Sequence, residues 1–249
     1  MAKRIVLKFG TGVLSRDGGS ALDAAQIRGI AREVAALQRN GMQCVIVSSA
    51  AVAAGVARLG LSARPTELAA KQACAAIGQP ELMQLYANAF AEHGLTVAQL
   101  LLTHDDLDSR TRYKNANNTL NHLLGCGVVP IINENDSVAT QEMQFGDNDQ
   151  LAAQVAQLID ADCLLLLTRT DGLTDASGQR IPVVKNLDEA YALVRPEKGE
   201  FSVGGMKSKL DAVGKALASG IHVAILDGRT LEQIPLAVHG KDVGTRFVP

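Results

Sequence analysis

Six short apolar runs constrain this chain most. They lie at residues 4–9, 43–47, 95–102, 128–132, 163–167 and 223–226. Each has the length and the Val/Ile/Leu content of a strand buried on both faces. Longer stretches with apolar residues at helical spacing separate them. In residues 23–38, for example, Ile27, Ile30, Val34 and Leu37 share one face, and Asp23 is placed to cap it. Strand and helix alternating in this way predict a mostly parallel sheet with helices on both faces, a three-layer αβα sandwich. No repeat, low-complexity tract or Pro/Ser-rich linker interrupts the pattern, so residues 1–249 read as one domain. Residues 67–93 are Ala- and Leu-rich and read as helix, with a break expected around Gly78-Gln79-Pro80.

Composition excludes several classes. Hydrophobic residues make up 47% of the chain, enough for an extensive core. The net charge is −2 and no basic block is present, which argues against a dedicated nucleic-acid binder. No apolar run approaches the ~20 residues of a membrane span. The first strand pattern begins directly after the first few residues, so no signal peptide is expected and the location reads as cytoplasmic. Cys44, Cys74, Cys126 and Cys163 are scattered in or beside apolar segments and are expected to be buried, reduced thiols. The five histidines lack ligand spacing.

Open parallel sheets bind ligands at the carboxyl ends of their strands, so the strand exits carry the functional signal. The first exit is Lys8-Phe-Gly-Thr-Gly12, where a lysine and two glycines suit a phosphate. The lysine precedes the glycines, so this is not a Walker A loop, and the third glycine of a dinucleotide fingerprint is missing. The second exit is Ser48-Ser49-Ala50, whose serines suit capping of the next helix or contact with an anion. The fourth is Asn133-Glu-Asn-Asp136, followed shortly by Gly146-Asp-Asn-Asp149 at the start of a helical pattern. Turn and cap chemistry accounts for either cluster alone; two in succession at one sheet edge point to a site. The fifth exit is Thr168-Arg169-Thr170-Asp171. Gly204-Gly205-Met206-Lys207-Ser208-Lys209 then opens a further helix, where free N–H groups, the helix dipole and two lysines converge as a polyphosphate site requires. Asp105 or Asp106 is a candidate helix cap, and Arg110, Arg112 and Lys114 read as a solvated face.

Taken in order, these motifs resemble the amino acid kinase superfamily over essentially the whole chain. The resemblance is closest to the branch that phosphorylates the side-chain carboxylate of L-glutamate in the first step of proline synthesis. It implies the amino acid kinase fold, ATP with Mg2+, and catalytic roles for Lys8, Asp149 and Lys209. It implies that ATP is held by Lys8, Gly10, Thr11, Thr168, Arg169, Val203, Gly204, Gly205, Met206, Lys207, Ser208 and Lys209. Ser49, Asp136 and Asn148 would hold the amino acid, with Asp136 pairing with its ammonium. A homo-oligomer, dimer or tetramer, and proline as a feedback ligand are also implied. Many members carry a C-terminal RNA-modification-type domain. This chain stops at Gly244-Thr-Arg-Phe247, which resembles the end of the kinase domain.

Two departures from the family pattern stand out. Ala50 occupies a position typical of glycine, and an alanine there is expected to have ordinary φ. Arg169 replaces an aspartate. They leave two other readings open: a kinase of the same superfamily with a different small acceptor, and a non-catalytic module that senses glutamate or proline.

Overall fold

All six apolar runs are strands in the computed structural model, which describes residues 3–16, 21–139, 148–194 and 205–248. The chain runs β1 (Arg4–Phe9), α1 (Thr11–Leu14), α2 (Ala24–Arg39), β2 (Gln43–Ser48), α3 (Ala51–Arg58) and α4 (Leu68–Ala91). It continues through β3 (Val97–Leu102), α5 (His104–Asp108), α6 (Arg110–Gly125), β4 (Val129–Glu134), α7 (Asn148–Leu158) and β5 (Cys163–Thr168). The last elements are β6 (Val183–Val184), α8 (Leu187–Ala192), α9 (Met206–Leu217), β7 (His222–Asp227), α10 (Gln233–Val238) and β8 (Thr245–Phe247). The strands form one sheet in the order β3-β4-β2-β1-β5-β7-β8-β6. Among the named strands of the described residues, every pairing is parallel except β7 with β8. The fold is therefore a three-layer αβα sandwich. Strands β6 and β8 have two and three residues, too few to show a period, and their place is fixed by pairing.

Alternation along the strands sorts side chains between the two outer layers. Ile5, Leu7 and Phe9 of β1 join the core beneath α1, α2, α4 and α10, together with Ile30 and Val34. Val6 joins the opposite core beneath α6, α7 and α9, with Leu151, Val155 and Val213. Lys8 has the parity of Val6, so it leaves the sheet on the α7/α9 side. Helix α2 starts where the sequence suggests, because the Asp23 carboxylate accepts from the N–H groups of Ala25 and Gln26.

Local sequence misleads at five places. Helix α4 is continuous, with Pro80 inside it. A methyl at Gly78 would overlap the Ala51 carbonyl, and one at Gly55 would overlap the Cys74 carbonyl. This close glycine-lined crossing with α3 holds the helix through a residue that removes one of its hydrogen bonds. Neither serine caps α3; its N-cap is Ala50, with no side-chain bond. The expected ordinary backbone at Ala50 is also wrong, since its φ is 81° and its ψ 3°. The reason lies in the turn itself. The Ser49 N–H still donates to Phe9 in the sheet, and α3 begins at Ala51, so one residue must make the whole turn. Thr103, not Asp105 or Asp106, caps α5, with Asp106 reciprocating from the third helical position. Cys126 is exposed at the end of α6, while Cys44, Cys74 and Cys163 are buried.

Candidate active site

Four consecutive strands of the sheet, β4, β2, β1 and β5, end side by side. Phe9 pairs with Ser48 on one side and with Leu167 on the other, so the exits are level. Helix α2 leads from β1 to β2 on one face, and α7 leads from β4 to β5 on the other. The chain thus diverges around β1, which opens a crevice at the carboxyl edge.

Three charged side chains meet over β1. Lys8, from the end of that strand, places its Nζ 2.5 Å from Asp149 Oδ1. Lys209, from the first turn of α9, places its Nζ 3.1 Å from Asp149 Oδ2. The Asp149 side chain is fully buried, and those of Lys8 and Lys209 are 5% and 12% exposed. Each oxygen of this buried carboxylate faces a lysine ammonium group, the pairing that burial of a charge requires. Among these three side chains, two ammonium groups stand either side of one carboxylate at the crevice. That suits a polyphosphate. Both Asp149 oxygens face lysines, so the triad offers no carboxylate for a metal cage. The donor set fits Mg2+ only as an ion carried by nucleotide phosphates and water.

Backbone donors flank the triad. Gly10 is the N-cap of α1, and a methyl there would lie 3.8 Å from Lys8 Nζ, so the lysine folds back over this turn. Thr11 follows, half-buried. Gly205 is the N-cap of α9, where Met206, Lys207, Ser208 and Lys209 form the first turn. A methyl at Gly205 would meet no described atom within 4 Å. Val203 and Gly204 lie outside the described residues. Thr168 ends β5 half-buried, and its carbonyl accepts from the Gly228 N–H at 2.7 Å. Arg169 is exposed, and its stem lies where a side chain at Gly12 would go. The arginine thus packs along the β1–α1 turn.

A second, uncharged cluster sits over β2 and β4. Asn148 Nδ2 donates to the Ser48 carbonyl at 2.8 Å, to Asn133 Oδ1 at 2.8 Å and to Ser49 Oγ at 3.1 Å. Asn133 Nδ2 donates to Gln79 Oε1 at 2.9 Å, and Gln79 Nε2 to Gln99 Oε1 at 2.8 Å. Sequence reasoning reached Ser49 and Asn148 but missed Gln79 and the link through Asn133. The available signal was a glutamine in an otherwise Ala- and Leu-rich helix. Asp136 is half-buried beyond the end of β4, and no hydrogen bond joins it to this cluster. Burial raises its pKa, an effect partly offset by Arg64. Asp147 and the rest of residues 140–147 lie outside the described residues.

Burial pushes the thiols of Cys44 and Cys163 up to about 12, so neither is an activated nucleophile. Among the described residues, no group of three or more His, Cys, Asp or Glu has the arrangement of a metal site. No described helix is long and apolar enough to cross a membrane.

Comparison with known proteins accords with this architecture. The model for the amino acid kinase family matches residues 3–227. Glutamate 5-kinase from Geobacter sp. (strain M21) is 44% identical over 99% of this chain and 68% of its own length. Glutamate 5-kinase from Thermus thermophilus is 47% identical over 99% of this chain and 67% of its own length. A solved N-acetylglutamate synthase from Neisseria gonorrhoeae, complexed with coenzyme A and N-acetyl-glutamate, superposes with a TM-score of 0.71 at 16% identity. That likeness covers 99% of this chain and 59% of the synthase, and it concerns the fold alone. With a lysine-flanked carboxylate built on a parallel sheet, a family match over most of its length and these relatives, the chain belongs to the amino acid kinase family.

Proposed function

We propose that this chain is a single kinase domain that transfers the γ-phosphoryl group of ATP to the side-chain carboxylate of L-glutamate. The product is glutamyl 5-phosphate, an acyl phosphate. The observation that carries the reading is the buried Lys8–Asp149–Lys209 triad at the mouth of the β1 crevice. Identity of 44–47% to glutamate 5-kinases supports the choice of acceptor.

The acceptor carboxylate is already ionised near neutral pH, so the reaction needs no general base. It needs two anions brought together and charge on the moving phosphoryl group neutralised. In this reading Lys8 and Lys209 bind the phosphates on either side of the transferred group. Asp149 holds both ammonium groups in place and does not touch substrate. The N–H groups at Gly10 and at the start of α9 bind phosphate oxygens, with Thr11 and Lys207 nearby. Thr168 and Arg169 flank the nucleotide. Mg2+, carried with ATP, supplies further neutralisation when bound. Ser49 and Asn148 hold the amino acid, and the Asp136 carboxylate pairs with its ammonium. An acceptor that itself bore a phosphate would want a cation at the positions of Asp136 and Asn148, which is why glutamate is preferred.

Incubation with ATP, Mg2+, glutamate and hydroxylamine tests the proposal by trapping the acyl phosphate. γ-Glutamyl hydroxamate is the expected product. Hydroxamate from aspartate but not glutamate, or ATP turnover dependent on carbamate, would overturn the acceptor assignment.

A further inference from the structure

The hydrogen bonds around Asn148 have a polarity fixed by the backbone. The Ser48 carbonyl only accepts, so the Asn148 atom 2.8 Å from it must be the amide nitrogen. Asn133 is fixed independently, because the Glu134 N–H only donates and lies 2.9 Å from Asn133 Oδ1. The remaining Asn133 nitrogen donates to Gln79, whose own nitrogen donates to Gln99. Every amide in the chain therefore has one orientation. Asn148 Nδ2 has two hydrogens and three acceptors within 3.1 Å, so it is saturated. Its Oδ1 is buried and has no hydrogen-bond partner among the described residues.

We infer that Gln79 is a positioning residue for the acceptor site. Through Asn133 it reinforces the Ser48 carbonyl in holding Asn148 so that the amide oxygen, not the NH2 group, is offered to the amino acid, and this oxygen accepts from the substrate ammonium. The inference rests on the proposed glutamate-phosphorylating function and adds the polarity with which the substrate is read. A carboxylate would need a donor from Asn148, and that donor is already engaged on three sides. An ammonium has three N–H groups, enough for Asn148 Oδ1 and Asp136 together. Without Gln79, Asn133 Nδ2 loses its acceptor, and the side chain is held through its Oδ1 alone. The Asn148 amide then keeps the Ser48 carbonyl, but its second acceptor, Asn133 Oδ1, is less firmly placed.

Steady-state kinetics on three variants of the full chain test this. Gln79→Met removes the acceptor and keeps the side-chain length. Gln79→Glu still accepts from Asn133 and takes a bond from Gln99 once that exposed amide turns over. Gln99→Met sits on the exposed edge strand, outside the core, and loosens the far end of the chain. Gln79→Met is expected to raise the glutamate KM about tenfold, the loss of one charge-assisted hydrogen bond, with the ATP KM within about twofold. Gln79→Glu should stay within about threefold of wild type on both, and Gln99→Met should show the same selective rise, about threefold. Glutarate, which lacks only the amino group, reads the ammonium contact directly. The preference for glutamate over glutarate in kcat/KM should fall about tenfold in Gln79→Met. An unchanged glutamate KM in both methionine variants overturns the inference. So does a defect in both substrates that Gln79→Glu fails to rescue, which would make Gln79 a packing residue. An unchanged glutamate-to-glutarate ratio overturns the ammonium contact. If wild type gives no turnover with glutamate, the proposed function falls and takes the ammonium contact with it. Wild-type turnover with unaffected variants overturns this inference alone.

Discussion

The two halves of the crevice solve burial in opposite ways. Over β1 and β5, Lys8, Asp149 and Lys209 place three full charges in the interior. Over β2 and β4, Gln79, Asn133 and Asn148 are equally buried but neutral, and they are joined amide to amide. Ions are costly to bury, and the charged half is tolerable because each charge faces an opposite one. Its two ammonium groups are what a moving phosphoryl group requires. Neutral amides exert little pull on a phosphate, but a chain of them anchored on backbone groups has one orientation and so distinguishes donor from acceptor. The charged half suits catalysis and the neutral half suits recognition.

Removing one cation from the charged half tests that division most severely. Lys209→Ala should lower kcat by about 100- to 1000-fold, comparable to deleting a transition-state donor elsewhere, with a much smaller change in glutamate KM. Stopped-flow or coupled-assay kinetics would show the split. A variant altered only in its ATP KM would mean that the triad binds nucleotide without assisting transfer.

Next in size is the carboxylate at the edge of the neutral half. Asp136→Ala should raise the glutamate KM by about ten- to thirtyfold and leave kcat nearly intact, as expected for a charge-assisted contact present throughout the reaction. The same residue gives a pH signature. Burial raises its pKa, so Asp136 takes up its proton at a higher pH than an ordinary carboxyl. A protonated Asp136 no longer attracts an ammonium, so glutamate KM should rise as pH falls through that raised value, while ATP KM changes less. Wild type and Asp136→Ala should converge in acid. Parallel profiles that never converge would remove Asp136 from substrate binding.

The smallest effect concerns Ala50, the joint between the Ser48–Ser49 strand end and α3. A left-handed alanine carries about 1–2 kcal/mol of backbone strain, and glycine carries none there. Its methyl is buried, so packing lost on substitution offsets part of the gain. Ala50→Gly should stabilise the fold by about 1 kcal/mol in urea unfolding and shift glutamate KM by a few-fold with ATP KM constant. Net destabilisation would show that methyl packing outweighs the strain. Restored turnover from an inactive wild type would show that Ala50 disables the acceptor half.

Sequence alone determined the parts that depend on near neighbours. Apolar runs and 3.6-residue periodicity located six strands and most helices, and the Asp23 cap was legible because its bonds span two and three residues. Lys8, Asn148, Asp149 and Lys209 were legible as polar residues at strand and helix ends in a sheet known to bind ligands there. Tertiary structure decided the rest. Helix α4 passes through Pro80 because α3 packs too closely for it to break, and Gln79 meets Asn133 across 54 residues of chain. Ala50 is left-handed because β1 still holds Ser49 at the point where α3 must begin. No local pattern encodes these contacts. Each arises only when the folded sheet brings distant segments together and leaves a residue one conformation that satisfies both.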